Sequence, residues 1–142
     1  MNIISYNVCG LGDWEKRKEV LKLVRSHQPW VLCIQKTKLK SIDEFMSTSL
    51  WGSASFGLSF GPYVGASGRI LILWDTSEVE VWDRRSLANS VIIHGRFVKS
   101  GCEFFIANVY APCDSAGRHA LWLHLGDSIT NNSDDNWRGC GD

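Results

Sequence analysis

Polar side chains stand at the ends of three predicted strands. Asn7 ends the first strand, Asn108 and Tyr110 end a later one, and Asp142 follows a glycine at the end of the last. Carboxamide, phenol and carboxylate groups gathered at one edge of a sheet could bind and orient a polar substrate. The alternative is structural, because Asn and Asp are common where a strand gives way to a loop. Residue type alone favours the structural alternative.

Other kinds of chemistry find little support in the sequence. His119 and His124 are five residues apart, so they do not share a helix face as a metal-binding i, i+4 pair would. Residues 61–68 lack the G-K-[ST] ending of a phosphate-binding loop. The 5 scattered cysteines include no Cys-x-x-Cys pair, which predicts reduced thiols without disulfide partners.

The apolar pattern predicts the elements that must position these side chains. Their order is β-α-β-α, then a run of strands, then α-β, which is typical of a mixed α/β layered domain with a largely antiparallel sheet. Closely spaced strands between residues 70 and 110 indicate an antiparallel meander. Strands are predicted at residues 2–9, 30–35, 51–60, 70–74, 79–82, 91–98, 103–110 and from 137, and helices between Asp13 and Pro29, at 42–50 and at 115–129.

The charge balance limits the classes of partner. The chain carries 15 basic and 15 acidic side chains, whereas a free-standing DNA-binding domain usually has a basic excess. This charge balance does not exclude an enzyme that binds a phosphate backbone through one local basic patch. The first residues form no secretory signal, and the longest apolar run, at residues 70–74, is too short to span a membrane. We therefore expect an intracellular protein, with the nucleus as one option.

Five segments, in order along the chain, resemble the motifs of endonuclease/exonuclease/phosphatase domains. Together they resemble most closely the endonuclease domain of plant LINE-type non-LTR retrotransposons. The family motifs are S-W-N-x-x-G-L-G, Q-E-T-K-L, S-G-G-I-L-I-L-W-D, N-V-Y-A-P and the W-x-x-x-G-D that opens G-D-F-N. The matching segments here are residues 5–12, 35–39, 67–75, 108–112 and 137–142.

The resemblance implies part of a four-layered α/β sandwich of the DNase I-like kind. Such domains hydrolyse a phosphodiester bond with Mg²⁺ or Mn²⁺, and the implied partner is the phosphodiester backbone of DNA. Asn7, Tyr110 and Asp142 take catalytic positions, and Asn108 and Tyr110 take substrate-binding positions. In an intact element a reverse transcriptase domain would follow, and nothing of it is present in this sequence.

The sequence departs from the family at the metal ligand. Lys36 stands where the family has the Glu that binds the metal, and an ammonium group has no lone pair to donate and repels a cation. We expect Lys36 not to bind metal; it could instead occupy the metal's place and pair with Asp142 or a bound phosphate. Two milder departures are Tyr6 for Trp and Arg69 for Gly, the latter straining the backbone if φ is positive there.

A second departure concerns the end of the sequence. It stops at Asp142, inside G-D-F-N and before the family's C-terminal Ser-Asp-His motif, so residues 1–142 are expected to be the N-terminal portion of one domain with an unpaired final strand. The function expected is therefore that of a degenerate, inactive retrotransposon endonuclease. The alternatives are an active Mg²⁺-dependent endonuclease, a small non-catalytic module that binds protein or nucleic acid, and a phosphatase of the same superfamily.

Overall fold

A computed structural model describes residues 2–53, 55–61, 69–87, 90–109 and 137–141. The predicted helix at residues 115–129 lies outside these ranges. Within them, neither helix has the length and the apolar surface that spanning a bilayer requires. The elements, in chain order, are β1 (Ile3–Asn7), α1 (Trp14–His27), β2 (Val31–Gln35), α2 (Glu44–Trp51), β3 (Phe56–Phe60), β4 (Leu71–Asp75), β5 (Val79–Leu87), β6 (Ser90–Phe97), β7 (Glu103–Val109) and β8 (Trp137–Gly141).

The strands form two sheets of four strands each. The first has the order β1-β2-β4-β3, with β1 parallel to β2 and the other pairs antiparallel. The second has the order β5-β6-β7-β8, with β8 parallel to β7. The mixed α/β, mostly antiparallel fold class is thus as predicted.

Two predictions about strand pairing were wrong. The meander contains β5, β6 and β7 only, because β4 lies in the first sheet between β2 and β3. The final strand is not left unpaired, because β6 occupies only one edge of β7 and β8 pairs along the other. Both errors have the same origin: strand spacing along the chain does not determine which edge of a sheet accepts a strand.

Apolar side chains alternate along the strands and separate the molecule into layers. One face of the first sheet packs on the helices, and the side chains buried there include Val20, Val24, Leu32, Ile34, Leu50, Trp51, Leu71 and Leu73. The other face packs on the second sheet, and that core includes Val31, Cys33, Ile72, Trp74, Val91, Ile93, Phe104 and Ile106. A third cluster of buried side chains lies on the opposite face of the second sheet and consists of Ile92, Phe105, Ala107 and Val109.

Capping residues set the helix ends. Asp13 accepts a hydrogen bond from the backbone N–H of Glu15 at 3.0 Å and begins α1, as predicted. Asp43 accepts from the N–H of Met46 at 2.7 Å and begins α2, which ends at Gly52 with φ of 86°. The strand predicted from residue 51 was therefore wrong at its start, because Trp51 is the last residue of α2 and β3 begins at Phe56.

The strand β5 is longer than the predicted 79–82. It continues to Leu87 through a register shift between Val81 and Asp83, and Leu87 pairs with Ser90 of β6. The missed half carries exposed charged residues, among them Arg84 and Arg85. A run of charged residues in a sequence is usually interpreted as a loop. On an exposed face of a strand, however, charged side chains need no apolar partner, so the strand can continue through them.

Gly95 of β6 lies where this irregular pairing brings two backbones together. A Cβ built at this position would overlap the carbonyl oxygen of Glu80 and lie 2.9 Å from the Cα of Val81. Backbone atoms cannot rotate away as a side chain can. The close approach of β5 and β6 therefore requires glycine here.

Replacing Gly95 by alanine should cost about 2 kcal/mol or more of unfolding free energy, because overpacking against backbone forces β5 and β6 apart. The matched control is Gly12→Ala, since a Cβ at Gly12 has no atom within 4 Å. That change should alter stability by less than about 1 kcal/mol. Urea unfolding followed by tryptophan fluorescence measures both, and equal stability of the two variants would contradict the packing described.

Candidate functional site

The C-terminal ends of β1, β2 and β7 meet at one edge of the two-sheet core. Asn7 lies opposite Gln35 in the parallel register of β1 and β2. Because side chains alternate, Gln35 lies on the same face as Val31 and Cys33, and Asn108 lies on the same face as Phe104 and Ile106. The apolar core between the two sheets therefore ends in polar side chains at this edge. These groups are Ser5, Gln35 and Asn108.

Gln35 and Asn108 join the two sheets through a buried hydrogen-bond network. The Gln35 Nε2 donates to Asn108 Oδ1 at 2.8 Å and to Ser5 Oγ at 2.9 Å. The Asn108 Nδ2 donates at 2.9 Å to two backbone carbonyl oxygens of the first sheet, those of Ile34 and Leu71. Gln35 is 1% exposed and Asn108 is 0% exposed. Both amide groups thus find partners inside the protein, as buried polar groups must.

This network gives Asn108 a positioning role. Its carboxamide is buried and bonded to the first sheet, so it fixes the end of β7 relative to β2 and β4. The predicted substrate contact of Asn108 stays a prediction. Sequence reasoning assigned no role to Gln35 or Ser5. A signal was present, because Gln35 is the single polar residue in an otherwise apolar strand that is buried along its whole length.

Asn7 lies at the exposed end of β1. Its Oδ1 accepts a hydrogen bond from the Cys9 thiol, with Sγ and Oδ1 3.5 Å apart. Beyond Asn7 the chain stays beside the segment that follows β2, because Gly10 N–H donates to Lys36 O and Leu11 N–H donates to Thr37 O, both at 2.8 Å. The structure thus brings the strand end of Asn7 and the segment of Lys36 side by side. The catalytic role of Asn7 stays a prediction.

Lys36 follows β2 directly and is half-buried, with a left-handed backbone φ of 57°. The next residue, Thr37, is fully buried, and its N–H donates to the carbonyl oxygen of Arg69 at 3.0 Å. Arg69 is not among the described non-glycine residues with positive φ, so the backbone strain considered for it does not arise. The position of Lys36 is therefore fixed by hydrogen bonds on both sides of its segment.

The residues described at this edge do not fit a hard divalent cation. Such an ion prefers carboxylate oxygens, whereas the edge presents the carboxamide of Asn7 and the ammonium of Lys36. In the part of the chain that the structure describes, no group of three or more His, Cys, Asp or Glu could hold a metal. Tyr110 and Asp142 lie outside the described residues. In the sequence they follow Val109 and Gly141, which are paired across β7 and β8.

Solved structures with the same fold support the interpretation of the architecture. The catalytic domain of human Nocturnin with a bound sulfate anion matches with a TM-score of 0.76 at 15% identity, over 100% of this chain and 64% of that chain. An endonuclease/exonuclease/phosphatase family protein from Bacteroides thetaiotaomicron gives 0.76 at 14% identity, over 100% and 62%. D. rerio TDP2 complexed with single-strand DNA product gives 0.71 at 17% identity, over 100% and 60%.

These likenesses show that the chain has the endonuclease/exonuclease/phosphatase, or DNase I-like, fold. The chain spans between 60% and 64% of the length of these three solved chains. No family model matches the sequence, and no curated protein matches it either. The fold is thus established by three-dimensional likeness rather than by close sequence relatives.

Tyr6, at the position of the family's Trp, points away from this edge toward α1. Its hydroxyl donates to the Glu19 carboxylate, with Oη and Oε2 3.1 Å apart. Burial of the phenol raises the pKa of Tyr6, and the hydrogen bond and negative charge of Glu19 raise it further. The residue thus ties β1 to α1 in its protonated form.

Asn108→Ala should cost about 3 kcal/mol of unfolding free energy, because it leaves buried carbonyl oxygens and one N–H of Gln35 without their partner. Asn7→Ala, a matched change at an exposed strand end, should cost less than about 1 kcal/mol. Urea titration of both variants gives the comparison. A small loss for Asn108→Ala would mean that the network does not hold the sheets together.

Glu19→Gln should lower the pKa of Tyr6, whereas Glu15→Gln on the same helix should leave it unchanged. The raised pKa in the folded state stabilises the protein below about pH 10, where an unfolded phenol is still protonated, and this contribution is lost as the pH rises through the folded pKa. Phenolate absorbance, taken as the difference from Tyr6→Phe, measures the shift. An unchanged titration in Glu19→Gln would remove Glu19 as a cause.

Proposed function

We propose that this chain derives from the DNA endonuclease of a LINE-type retrotransposon and no longer hydrolyses phosphodiester bonds. The observation that carries the proposal is Lys36, half-buried at the end of β2 beside the segment of Asn7. The ordered motifs of the sequence support the endonuclease origin. The DNase I-like fold supports a phosphodiester or phosphate ester as the class of substrate from which the site descends.

The electrostatics of Lys36 argue against hydrolysis with Mg²⁺ or Mn²⁺. Two unit charges 4 Å apart repel by about 4 kcal/mol at an effective dielectric constant of about 20, and a divalent ion doubles this value. Binding with a millimolar dissociation constant supplies only about 4 kcal/mol. The repulsion therefore exceeds what a weak metal site provides, and the family's Glu ligand is lost as well.

Other site residues would bind or orient the phosphodiester without supplying a metal. In the proposed site, Asn7 offers an exposed carboxamide beside Lys36, while Gln35 and Asn108 hold the strand ends in place. Roles for Tyr110 and Asp142 follow from the motif resemblance. DNA is the proposed substrate class because of the retrotransposon motifs, and the similar D. rerio TDP2 was solved with a single-strand DNA product.

The direct test is hydrolysis by the chain itself. Supercoiled plasmid incubated with the purified protein and Mg²⁺ or Mn²⁺ should stay intact, and p-nitrophenyl phosphate should release no nitrophenol. Nicking that EDTA abolishes would overturn the proposed loss of activity. Release of nitrophenol without nicking would instead favour the phosphatase alternative.

Lys36→Glu should create affinity for Mn²⁺, because it replaces a repelling ammonium by a carboxylate ligand. The matched control is Lys38→Glu, which makes the same charge change two residues away and at a similar backbone φ of 56°. Electron paramagnetic resonance of free Mn²⁺ measures binding in both variants and in the unchanged chain. Equal Mn²⁺ binding by the two variants would show that position 36 is not the metal position.

A further inference from the structure

The free edges of the two sheets run along the same side of the molecule. In the part of the chain that the structure describes, β3 pairs with β4 alone and β5 pairs with β6 alone, so β3 and β5 are edge strands. Between them lies a groove of about 600 Å³, a size within the range of ligand sites in proteins. We call it the edge groove. Its apolar lining consists of Gly57, Trp74, Val79, Val81 and Val98.

The first half of β5 turns unpaired backbone groups toward its free edge. Val98 N–H donates to Glu78 O at 3.0 Å, and Val79 lies opposite Phe97 in the antiparallel register. Residues of such a ladder alternate between bonding to the neighbouring strand and facing away from it. The N–H and C=O groups of Val79 and Val81 therefore face the free edge of β5, where another strand could pair with them.

Side chains of both sheets form the apolar floor of the edge groove. Val79 belongs to the core between the sheets and Val81 packs against that core, so both side chains point inward. Gly57 of β3 has no side chain, and a Cβ built there would overlap the indole ring of Trp74. The ring therefore lies close against the backbone of β3. Val98 is 41% exposed, so apolar surface of the groove remains accessible to a ligand.

Arg84 gives the edge groove a positive charge that no described carboxylate neutralises. Glu80, which also lines the groove, is already paired, because Arg96 Nε donates to its Oε2 at 2.7 Å. Arg84 reaches across to β3, where its Nη1 donates to Leu58 O at 2.9 Å, and its Cζ lies 5.9 Å from the centroid of the Trp74 ring. A neutral carbonyl and an indole leave the guanidinium charge in place. Among the described residues Arg84 makes no ion pair.

We infer that the edge groove binds an extended peptide segment of a partner protein, which adds to β5 as a further strand and carries an acidic side chain beside apolar ones. Main-chain hydrogen bonds to Val79 and Val81 supply affinity, and side chains that alternate into the groove supply selectivity. Apolar side chains of the peptide cover Trp74 and Val98, and the carboxylate pairs with Arg84. The inference depends neither on DNA nor on the proposed loss of hydrolysis.

The irregular part of β5 restricts where such a peptide can pair. The register shifts between Val81 and Asp83, and exposed charged residues follow. Bulges and charges of this kind hinder pairing at the edge of a sheet. The peptide therefore has only a short stretch of main chain to pair with, so binding is weak and depends on Arg84 as a second contact.

The test is a titration of the isotope-labelled chain with the synthetic peptide T-L-T-L-T-D-T, capped at both ends and followed by heteronuclear NMR. Its leucines and its aspartate share one face of an extended strand. The amide signals of Val79 and Val81 and the indole N–H signal of Trp74 should shift as the peptide is added. A peptide with asparagine in place of aspartate should bind about twofold to fivefold more weakly, because the ion pair is lost.

Two methylated forms of the peptide test the main-chain hydrogen bonds. Each form blocks the N–H groups of alternate residues, and only one of these two sets can face β5. One form should therefore bind like the unmethylated peptide, and the other should lose binding.

Variants of the protein test the contact with Arg84. Arg84→Gln should bind the aspartate and asparagine peptides equally, whereas Arg84→Lys, which keeps the charge, should still prefer aspartate. The matched control is Arg85→Gln, since Arg85 is also exposed but pairs with Asp83, with Nε and Oδ2 3.3 Å apart. This control should keep the preference of the unchanged chain. The dispersion of the NMR signals shows whether each variant is folded.

The unchanged chain alone can overturn the inference. Absence of shifts at Val79 and Val81, equal binding of the aspartate and asparagine peptides, or equal effects of the two methylated forms would each do so. Shifts of the same signals when the protein is concentrated without peptide would show that a second copy occupies the groove, which would also overturn it. Plasmid nicking by the chain would overturn the proposed loss of activity and leave peptide binding at β5 standing.

Discussion

The hydrogen bond between Gln35 and Asn108 is the interaction on which the candidate site depends. It crosses from the first sheet to the second at 2.8 Å, and the remaining N–H groups of both carboxamides reach Ser5 and two backbone carbonyl oxygens of the first sheet. A buried polar group without a partner costs about 1 to 3 kcal/mol, so any sliding of the sheets would leave several such groups unpaired. The network therefore fixes how the ends of β1, β2 and β7 face one another.

The chemistry of the edge follows from what this frame presents to solvent. Asn7 and Lys36 belong to adjacent segments that backbone hydrogen bonds hold together. Under the proposed function, a Glu at position 36 would place a carboxylate in the same frame, where it could bind a metal ion. Lys36 instead places a positive charge in this frame, and a positive charge repels a cation.

Local signals in the sequence predicted much of the fold. Asp13 predicted the start of α1, and the apolar run at residues 30–35 predicted the strand β2. Predictions were wrong where the extent or the pairing of a strand depended on residues far away in the sequence. The second half of β5 was missed because its residues are charged. The spacing of strands along the chain also could not show that β4 lies in the first sheet or that β8 pairs with β7.

The sequence by itself determined most of the elements, the alternation of their side chains and the presence of Lys36 in a Gln-Lys-Thr-Lys segment, because these depend on neighbours along the chain. Only the tertiary structure decided that Asn108 is a buried connection between the sheets. Its partners lie 73, 74 and 37 residues away in the chain. A carboxamide at a strand end has the same local pattern whether it meets solvent, substrate or another carboxamide. Which of these it meets is settled by sheet packing, since packing alone brings β7 against β2 and β4.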